Sequence, residues 1–259
     1  MDYRQRLKPA LRAALIHLLG SILVGLTSAL LFLSIWYPTP FNAIAGGFTL
    51  WGLIVAVDIA CGPLLTLVVF NPRKPRLELA RDIGFILLLQ LCAFAYGIYI
   101  ASQARPIYLA YEGNRYRLIT YKDINKEKLA EAPADLRSLS LTGPRLLGVK
   151  LSNPTDPDFQ QSVLLSLQGL HPAYRPSRWT GYETLLPQLQ EALLPLEKLK
   201  IKHPDSLNEI ELTLTRAGLD AISAGYLPLE AGRAKSRDWV VIVERSTGIP
   251  KAFLPLDGW

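Results

Sequence analysis

Three long apolar runs dominate the first 101 residues and constrain the fold more than any other feature. They cover residues 13–36, 48–70 and 83–101. Each run is close to the length of roughly 20 residues that a helix needs to cross the hydrocarbon core of a bilayer. Because a chain inside lipid must satisfy its own backbone hydrogen bonds, each run is predicted to be a transmembrane α-helix.

The distribution of basic residues predicts how these helices are oriented. Four Lys or Arg residues precede the first run and four lie in segment 71–82, whereas segment 37–47 carries no charge. Cytoplasmic loops are enriched in Lys and Arg. The N-terminus and segment 71–82 are therefore predicted to be cytoplasmic, and everything after Ser102 is predicted to lie on the opposite side.

The net positive charge of the chain does not indicate that it binds nucleic acid. The chain has a net charge of +6, but the part after residue 101 carries 20 basic residues against 18 acidic ones. A protein that binds the phosphate backbone needs a concentrated basic surface. The basic excess is therefore interpreted as a membrane-topology signal, and no nucleic-acid partner is expected.

The middle run contains an acid. Asp58 lies near its centre, and Gly62 and Pro63 follow within about two turns. A carboxylate inside a membrane is costly and usually faces protein or water, and Pro63 removes a backbone donor and tends to bend a helix. Asp58 is interpreted as a contact inside the bundle, as a docking point for a transmembrane helix of another protein, or as part of an ion or proton path.

Depth in the membrane suggests a partner for Asp58. At 1.5 Å per residue, Asp58 lies ~18 Å from the cytoplasmic end of its run, and Tyr96 and Ser28 fall at a similar depth. We predict that the hydroxyl of Tyr96, or that of Thr27 or Ser28, forms a hydrogen bond with Asp58. The candidate intramembrane contact with a partner consists of Asp58, Gly62, Pro63 and Tyr96.

Residues 104–259 are predicted to form an extracytoplasmic α+β domain with antiparallel hairpins, after a three-helix membrane domain over residues 1–103. Alternating β-prone residues and turn signals predict two hairpins: 106–111 with 115–121, and 238–245 with 249–256. Segment 145–151 is a further candidate strand. Helical spacing is found in three segments: 123–131, 156–167 and 182–199. Segment 207–222 is ambiguous between helix and strand.

No catalytic arrangement stands out in the sequence. The histidines at positions 17, 171 and 203 lie far apart and lack zinc-ligand spacing. A nucleophile elbow and a phosphate-binding loop are both missing from the sequence. Cys61 and Cys92 both lie in apolar runs. We therefore expect no catalytic residue, no metal and no cofactor.

A cluster of aromatic and arginine residues marks segment 174–182. Its principal members are Tyr174, Arg178, Trp179 and Tyr182. Such residues are enriched at protein interfaces, so the four residues are a candidate partner-binding surface on the extracytoplasmic domain. The alternative is that Trp179 and Tyr182 anchor a long loop onto the core of the domain.

Short motifs along the chain carry a family resemblance. They are Ile16-His17-Leu18-Leu19, Trp36-Tyr37-Pro38, Asp58 with Gly62-Pro63-Leu64-Leu65-Thr66-Leu67, Leu89-Gln90-Leu91, Ala95-Tyr96-Gly97, Gln103-Ala104-Arg105-Pro106, Tyr226-Leu227-Pro228-Leu229 and the terminal hairpin from Trp239 to Trp259. In these motifs the chain resembles the type IV pilin accessory proteins, the TfpX/TfpZ group of pilus-biogenesis factors. The match is most specific from the first run to Asn125.

The resemblance implies a bacterial inner-membrane protein with a chaperone-like, non-enzymatic role in fimbrial assembly. Such a protein assists the assembly or stability of a cognate type IV pilin, which waits in the inner membrane with an apolar helix in the bilayer and its head outside. The expected partners are that pilin, other pilus-assembly proteins and membrane lipid. The alternative is a membrane-anchored enzyme, or a sensor whose periplasmic domain binds a ligand.

Overall fold

A computed structural model describes residues 3–232 and 239–259 of the chain. The chain forms two compact units, Met1–Ala104 and Arg105–Trp259, called here the helical unit and the sheet unit. The helical unit contains α1 (Tyr3–Leu31, followed by a π-helical turn over Phe32–Trp36), α2 (Phe41–Ile44), α3 (Gly47–Val69) and α4 (Arg76–Ala104).

Three stretches of the helical unit are long and apolar enough to cross a membrane. They are Arg6–Trp36, Gly47–Val69 and Arg76–Ala104, and at most 17% of the most apolar part of each is buried. Large apolar side chains therefore point outward along these helices; Ile16, for example, is 71% exposed. An exposed apolar surface of this kind is unfavourable in water. Such surfaces are typically covered by a membrane or by another protein.

The segments between the long helices contain more helix than the sequence predicts. Segment 37–47 includes α2, and α4 begins at Arg76, within the predicted loop 71–82. Pro75 directly precedes α4, where its fixed φ suits the start of a helix. Lys74 lies 3.2 Å from Glu78 and 2.6 Å from Asp82. These ion pairs explain how the polar part of segment 71–82 joins the helix.

The sheet unit is built on one mixed sheet of seven strands. They are β1 (Pro106–Tyr111), β2 (Tyr116–Thr120), β3 (Arg145–Val149), β4 (Trp179–Thr180), β5 (Ala224–Ala231), β6 (Trp239–Glu244) and β7 (Pro250–Leu254). The spatial order is β4-β3-β1-β2-β5-β6-β7. β1 pairs with β3 and β2 pairs with β5 in parallel, while the other neighbours are antiparallel.

Both predicted hairpins are present, as β1–β2 and β6–β7. Asp238, where the second hairpin was predicted to begin, lies outside the described residues. The expectation of a domain made of antiparallel hairpins is corrected by the two parallel pairs. Parallel neighbours need a long crossover connection, and the chain provides one of this kind between β1 and β3 and another between β2 and β5.

The helices of the sheet unit differ in detail from the prediction. They are α5 (Phe159–Leu167), α6 (Leu186–Ala192), α7 (Leu196–Lys202) and α8 (Leu207–Ala217). The helical pattern of 182–199 is interrupted at Pro187 and Pro195 in the sequence. In the structure Pro195 separates α6 from α7, whereas Pro187 lies in the first turn of α6. Segment 123–131 forms 3-10 turns instead of an α-helix. Asp123 does not start that helix but closes the preceding turn by accepting a 3.0 Å hydrogen bond from the N–H of Thr120.

Two hydrophobic cores stabilise the sheet. The first lies around β1 and β3 and contains Ile107, Tyr108, Ile119, Leu147 and Trp179. The second joins α7 and α8 to the other half of the sheet through Leu199, Ile210, Tyr226, Val240 and Ile242. All six residues of β1 are buried, so both faces of the sheet are covered at that strand.

Candidate functional site

The candidate functional site is a groove in the helical unit. α3 packs against both α1 and α4, whereas α1 and α4 make only marginal contact with each other. A groove of about 570 Å³ opens between them. Residues 13–24 of α1 and 83–94 of α4 form its walls, and Asp58 and Thr66 of α3, with Phe70 directly after α3, contribute to its floor.

An aromatic cluster closes the other end of the unit. The ring of Tyr37 is fully buried, stacks on Phe32 at 4.5 Å between centroids, and donates a hydrogen bond from its hydroxyl to the carbonyl of Ala101 (2.9 Å). A Cβ atom on Gly47 would lie 2.6 Å from Cδ1 of Tyr37, so a glycine is needed beneath the ring. The groove is thus confined to the half that contains the start of α1, the end of α3 and the start of α4.

Gln90 and Asp58 form a polar pair among the residues that line the groove. Nε2 of Gln90 donates to Oδ1 of Asp58 (2.8 Å) and to the carbonyl oxygen of Asp58 (3.1 Å). Within the part of the chain that the structure describes, Oε1 of Gln90 is buried and has no hydrogen-bond partner. An unsatisfied acceptor is costly away from water, and this one is buried beside Gly62 of α3 rather than open to the groove.

The hydroxyl partners predicted for Asp58 are wrong. Tyr96 is 66% exposed, and the hydroxyls of Thr27 and Ser28 donate to carbonyl groups of their own helix. Similar depth in a bilayer does not bring two side chains together, because the direction of each side chain depends on how its helix is rotated. Gln90 lies on the face of α4 that meets α3.

Gly62 makes the contact between Gln90 and Asp58 sterically feasible. Gly62 is buried, and a Cβ atom there would lie 2.1 Å from Nε2 of Gln90. Pro63 lies inside α3, which continues to Val69, and it offers no N–H to the preceding turn. Two of the predicted contact residues, Asp58 and Gly62, therefore meet the same side chain, and sequence reasoning did not identify Gln90 as their common neighbour.

Replacing Gly62 by alanine is expected to destabilise the helical unit. The new methyl group would overlap Gln90 and displace its amide from Asp58, and overpacking of this kind costs about 1–3 kcal/mol. Equilibrium unfolding of the full chain in mixed detergent micelles measures the effect. The matched control is Gly52→Ala on the same helix, where a Cβ atom meets nothing within 4 Å. Equal stability of the two variants would contradict the close approach of Gln90.

Further polar contacts hold the groove half of the unit together. Nδ1 of His17 lies 2.6 Å from Oγ1 of Thr66, which joins α1 to α3. The guanidinium of Arg6 donates to the carbonyl oxygens of Phe70 (3.2 Å) and Val68. These carbonyls belong to the last turn of α3 and the residue after it, where intrahelical partners run out. The basic start of α1 thus caps the end of α3.

Trp179, predicted as part of a partner surface, is a core residue. It is 2% exposed, its ring meets Tyr108 edge-on at 5.1 Å, and its Nε1 donates to the carbonyl of Ala173 (2.9 Å). A buried Trp with a satisfied N–H contributes packing energy rather than a binding surface.

Tyr182 is buried as well, at 5% exposure. Its hydroxyl lies 2.5 Å from the hydroxyl of Tyr116 and 2.5 Å from the carbonyl oxygen of Gly248, to which it donates. Burial raises the pKa of Tyr182 to about 12 and that of Tyr116 well above its usual value. Both phenols therefore remain protonated at neutral pH. They tie the segment to the start of β2 and to the turn between β6 and β7.

The other two residues of the predicted surface have partners within the sheet unit. Tyr174 is half-buried, and its ring meets that of His171 edge-on at 5.5 Å. Arg178 is 20% exposed at its side chain and pairs with Asp158. The partner surface predicted from these four residues is therefore corrected: segment 174–182 is a loop anchored on the core, because its aromatic rings point inward.

Comparison with known proteins gives the chain a family. It is 32% and 33% identical to the fimbrial assembly proteins of serogroups I and E1 of Dichelobacter nodosus, over 250 and 253 residues that span 96% of this chain and 96% of each relative. A protein of serogroups C1 and C2 is 38% identical over 129 residues, which is 50% of this chain and 98% of that relative. The family "Fimbrial assembly protein FimB" matches residues 5–46.

No solved structure matches the chain. The similarity to the serogroup I and E1 proteins extends over both units, from the groove helices to the sheet. This similarity confirms the resemblance to type IV pilin accessory proteins, and the chain belongs to the fimbrial assembly protein family.

Proposed function

We propose that this chain is an inner-membrane accessory factor that assists the assembly or stability of a cognate type IV pilin. The observation that carries the proposal is the similarity to relatives named fimbrial assembly proteins, over 96% of the chain. Because both units are covered, the proposed role extends to the whole chain rather than to a shared membrane anchor.

In this proposal the three long helices cross the inner membrane. The basic residues before and between them support a cytoplasmic N-terminus and a cytoplasmic segment 71–82, and with three crossings the sheet unit would lie in the periplasm. The outward-facing apolar side chains of α1, α3 and α4 support a lipid surrounding. The test is a reporter enzyme fused after Trp259. If the reporter is active only in the cytosol, this topology is wrong.

The proposed mode of action is binding rather than catalysis. In the described part of the chain, no group of three or more His, Cys, Asp or Glu residues is placed to hold a metal ion. Glu112, a buried carboxylate of the sheet unit, is paired with Arg117. The helical unit offers a groove, and the sheet unit exposes apolar side chains on α5, with Leu164 at 56% and Leu167 at 81%. The pilin would contact both units, its helix in the membrane and its head outside.

Deletion of the gene in a strain that assembles type IV pili is expected to lower the amount of surface pili. Loss of the factor would leave pilin subunits unassembled or unstable, so immunoblots of sheared pili and of membrane fractions should show less pilin in one or both. A plasmid copy of the intact gene is the control and should restore both. Unchanged piliation and unchanged pilin levels in the deletion strain would refute the proposed function.

A further inference from the structure

Basic side chains gather at the end of the helical unit where α1 and α4 begin and α3 ends. Arg6, from the start of α1, donates to the carbonyl oxygens of Phe70 and Val68, so the first turns of α1 lie against the end of α3. α4 begins shortly after that end, at Arg76. Two basic segments that are far apart in the sequence therefore lie at the same end of the unit.

The acidic residues at this end do not balance the basic ones. Lys74 lies 3.2 Å from Glu78 and 2.6 Å from Asp82, so a single lysine takes up both carboxylates of segment 71–82. Other basic side chains here are exposed and form no ion pair with an acid among the described residues: Lys8, Arg12, Arg76 and Arg81. These four residues are called here the basic collar.

Helix geometry directs the α1 part of the basic collar away from the bundle. Ala10 and Ala14 are 2% and 8% exposed and mark the buried face of α1. Lys8 and Arg12 each precede one of them by two residues, which is about 200° around the helix. Because Lys8 and Arg12 are four residues apart, they are neighbours on one face and their charges repel. A bound anion would relieve this repulsion.

The surface around the basic collar is apolar as well as positively charged. Leu11 and Leu77, which are adjacent to Arg12 and Arg76 in the sequence, are 49% and 74% exposed. A ligand that suits both kinds of side chain has a negative headgroup and an apolar tail. Inorganic phosphate has no tail, and a nucleic acid offers no comparable apolar surface.

From this arrangement we propose that the basic collar binds the headgroups of anionic phospholipids, such as phosphatidylglycerol, in the leaflet that faces the cytoplasm. Arg12 directly precedes the first apolar run and Arg81 lies just before the third, so both are at headgroup depth if the helices cross the membrane. Clusters of Lys and Arg beside transmembrane helices attract anionic lipids, and Arg donates charge-assisted hydrogen bonds to phosphate oxygens. The inference depends on the proposed membrane topology and goes beyond the proposed role with pilin.

Competition between two lipids tests the proposal. The full chain is immobilised through a C-terminal tag in a neutral detergent and equilibrated with equal amounts of dioleoylphosphatidylglycerol and dioleoylphosphatidylcholine, which have the same acyl chains. Retained lipids are eluted and quantified by mass spectrometry. The chain is expected to retain more phosphatidylglycerol at low salt, and the preference should fall as salt is raised, because salt screens exposed charges.

Two matched double variants locate the binding surface. Arg12→Gln combined with Arg81→Gln should lower the ratio of retained phosphatidylglycerol to phosphatidylcholine by up to about fivefold for each arginine, which corresponds to about 1 kcal/mol per basic residue near a membrane surface. Lys122→Gln combined with Lys150→Gln removes the same charge from exposed positions of the sheet unit and should leave the ratio unchanged. Size-exclusion chromatography checks that both variants remain monodisperse, and the salt series on the parent chain tests the proposal without any substitution.

Three results would overturn the proposal. They are equal retention of the two lipids by the parent chain at low salt, an equal loss of preference in both double variants, and displacement of phosphatidylglycerol by the same concentration of inorganic phosphate. A reporter active only in the cytosol after Trp259 would overturn the assignment to the cytoplasmic leaflet. Normal piliation in the deletion strain would refute the role with pilin and leave the lipid result standing.

Discussion

Replacing Arg117 by methionine is expected to lower the free energy of unfolding of the sheet unit by about 3–5 kcal/mol, the usual cost of breaking a buried ion pair from one side. Nε of Arg117 donates to Oε2 of Glu112 at 2.7 Å, and its NH2 group lies 2.9 Å from Glu230. The side chains of Arg117 and Glu112 are 4% and 6% exposed. The variant would leave the carboxylate of Glu112 buried without its counter-charge.

The pKa values of Arg117 and Glu230 are shifted in the directions expected for an ion pair that stabilises the charged form of both residues. Burial alone would lower the pKa of Arg117, but Glu112 and Glu230 outweigh it and raise that pKa. Burial would raise the pKa of Glu230, but Arg117 and Arg115 hold it below its usual value. A depressed carboxyl pKa contributes stability above the unfolded pKa, which is lost as the pH falls through the folded pKa. The deficit of the Arg117→Met variant should therefore shrink in acid.

Pulse proteolysis of the full chain in detergent micelles, with increasing urea and detection of a C-terminal tag, measures the loss. Arg115→Met is the matched control: Arg115 lies 3.2 Å from the same Glu230, but its side chain is 31% exposed, and exposed pairs contribute at most about 1 kcal/mol. Combining Arg117→Met with Glu112→Gln should recover part of the loss, because the unpaired charge is gone. Equal destabilisation by Arg115→Met and Arg117→Met would contradict the special role of burial.

The long helices could be predicted from the sequence because their signal is local. An uninterrupted apolar run specifies a membrane-length helix by itself. Only the helix ends depend on other contacts: the start of α4 at Arg76, for example, depends on the ion pairs of Lys74 with Glu78 and Asp82. The parallel pairs of the sheet have no such signal. β2 and β5 are separated by about a hundred residues of sequence, and nothing in the sequence of either strand indicates which strand it pairs with.

β5 is not among the predicted strands, and Pro228 lies inside it, although proline argues against a central strand. The structure shows why it is tolerated. The N–H and carbonyl groups of Tyr226 bond to Leu194, whereas β2 begins to pair at Leu229. Since backbone groups alternate in direction along a strand, the missing N–H of Pro228 falls in the gap between these two neighbours.

The candidate site could be predicted in part. Asp58 was identified because a carboxylate in an apolar run is unusual, and Gly62 because it lies one turn away. Gln90 is a polar residue of the third run, and that was the available signal. The sequence does not give the rotation of α4 that turns Gln90 toward Asp58. In the same way, the side-chain types in segment 174–182 fit an interface and a core anchor equally, and only the burial of Trp179 and Tyr182 distinguishes the two.

Replacing Trp179 by alanine is expected to destabilise the sheet unit by about 3–5 kcal/mol, as large-to-small changes of buried aromatic residues do. The variant would lose the edge-on contact with Tyr108 and the hydrogen bond to the carbonyl of Ala173, and it would leave a cavity in the core around β1 and β3. The same urea and pulse-proteolysis measurement on the full chain follows the loss.

Two further variants separate a core anchor from a partner contact. Trp259, at 45% exposure, is the matched control, and its replacement by alanine should change stability far less because little buried surface is lost. Trp179→Phe keeps an aromatic ring and removes the N–H donor, so it should cost about 1 kcal/mol from the hydrogen bond and a further amount from the smaller ring. If Trp179→Ala unfolds like the parent chain but no longer captures pilin, then Trp179 is a binding residue and the anchored-loop interpretation is wrong. If stability falls while the remaining folded protein still captures pilin, the contact with the pilin head lies elsewhere on the sheet unit.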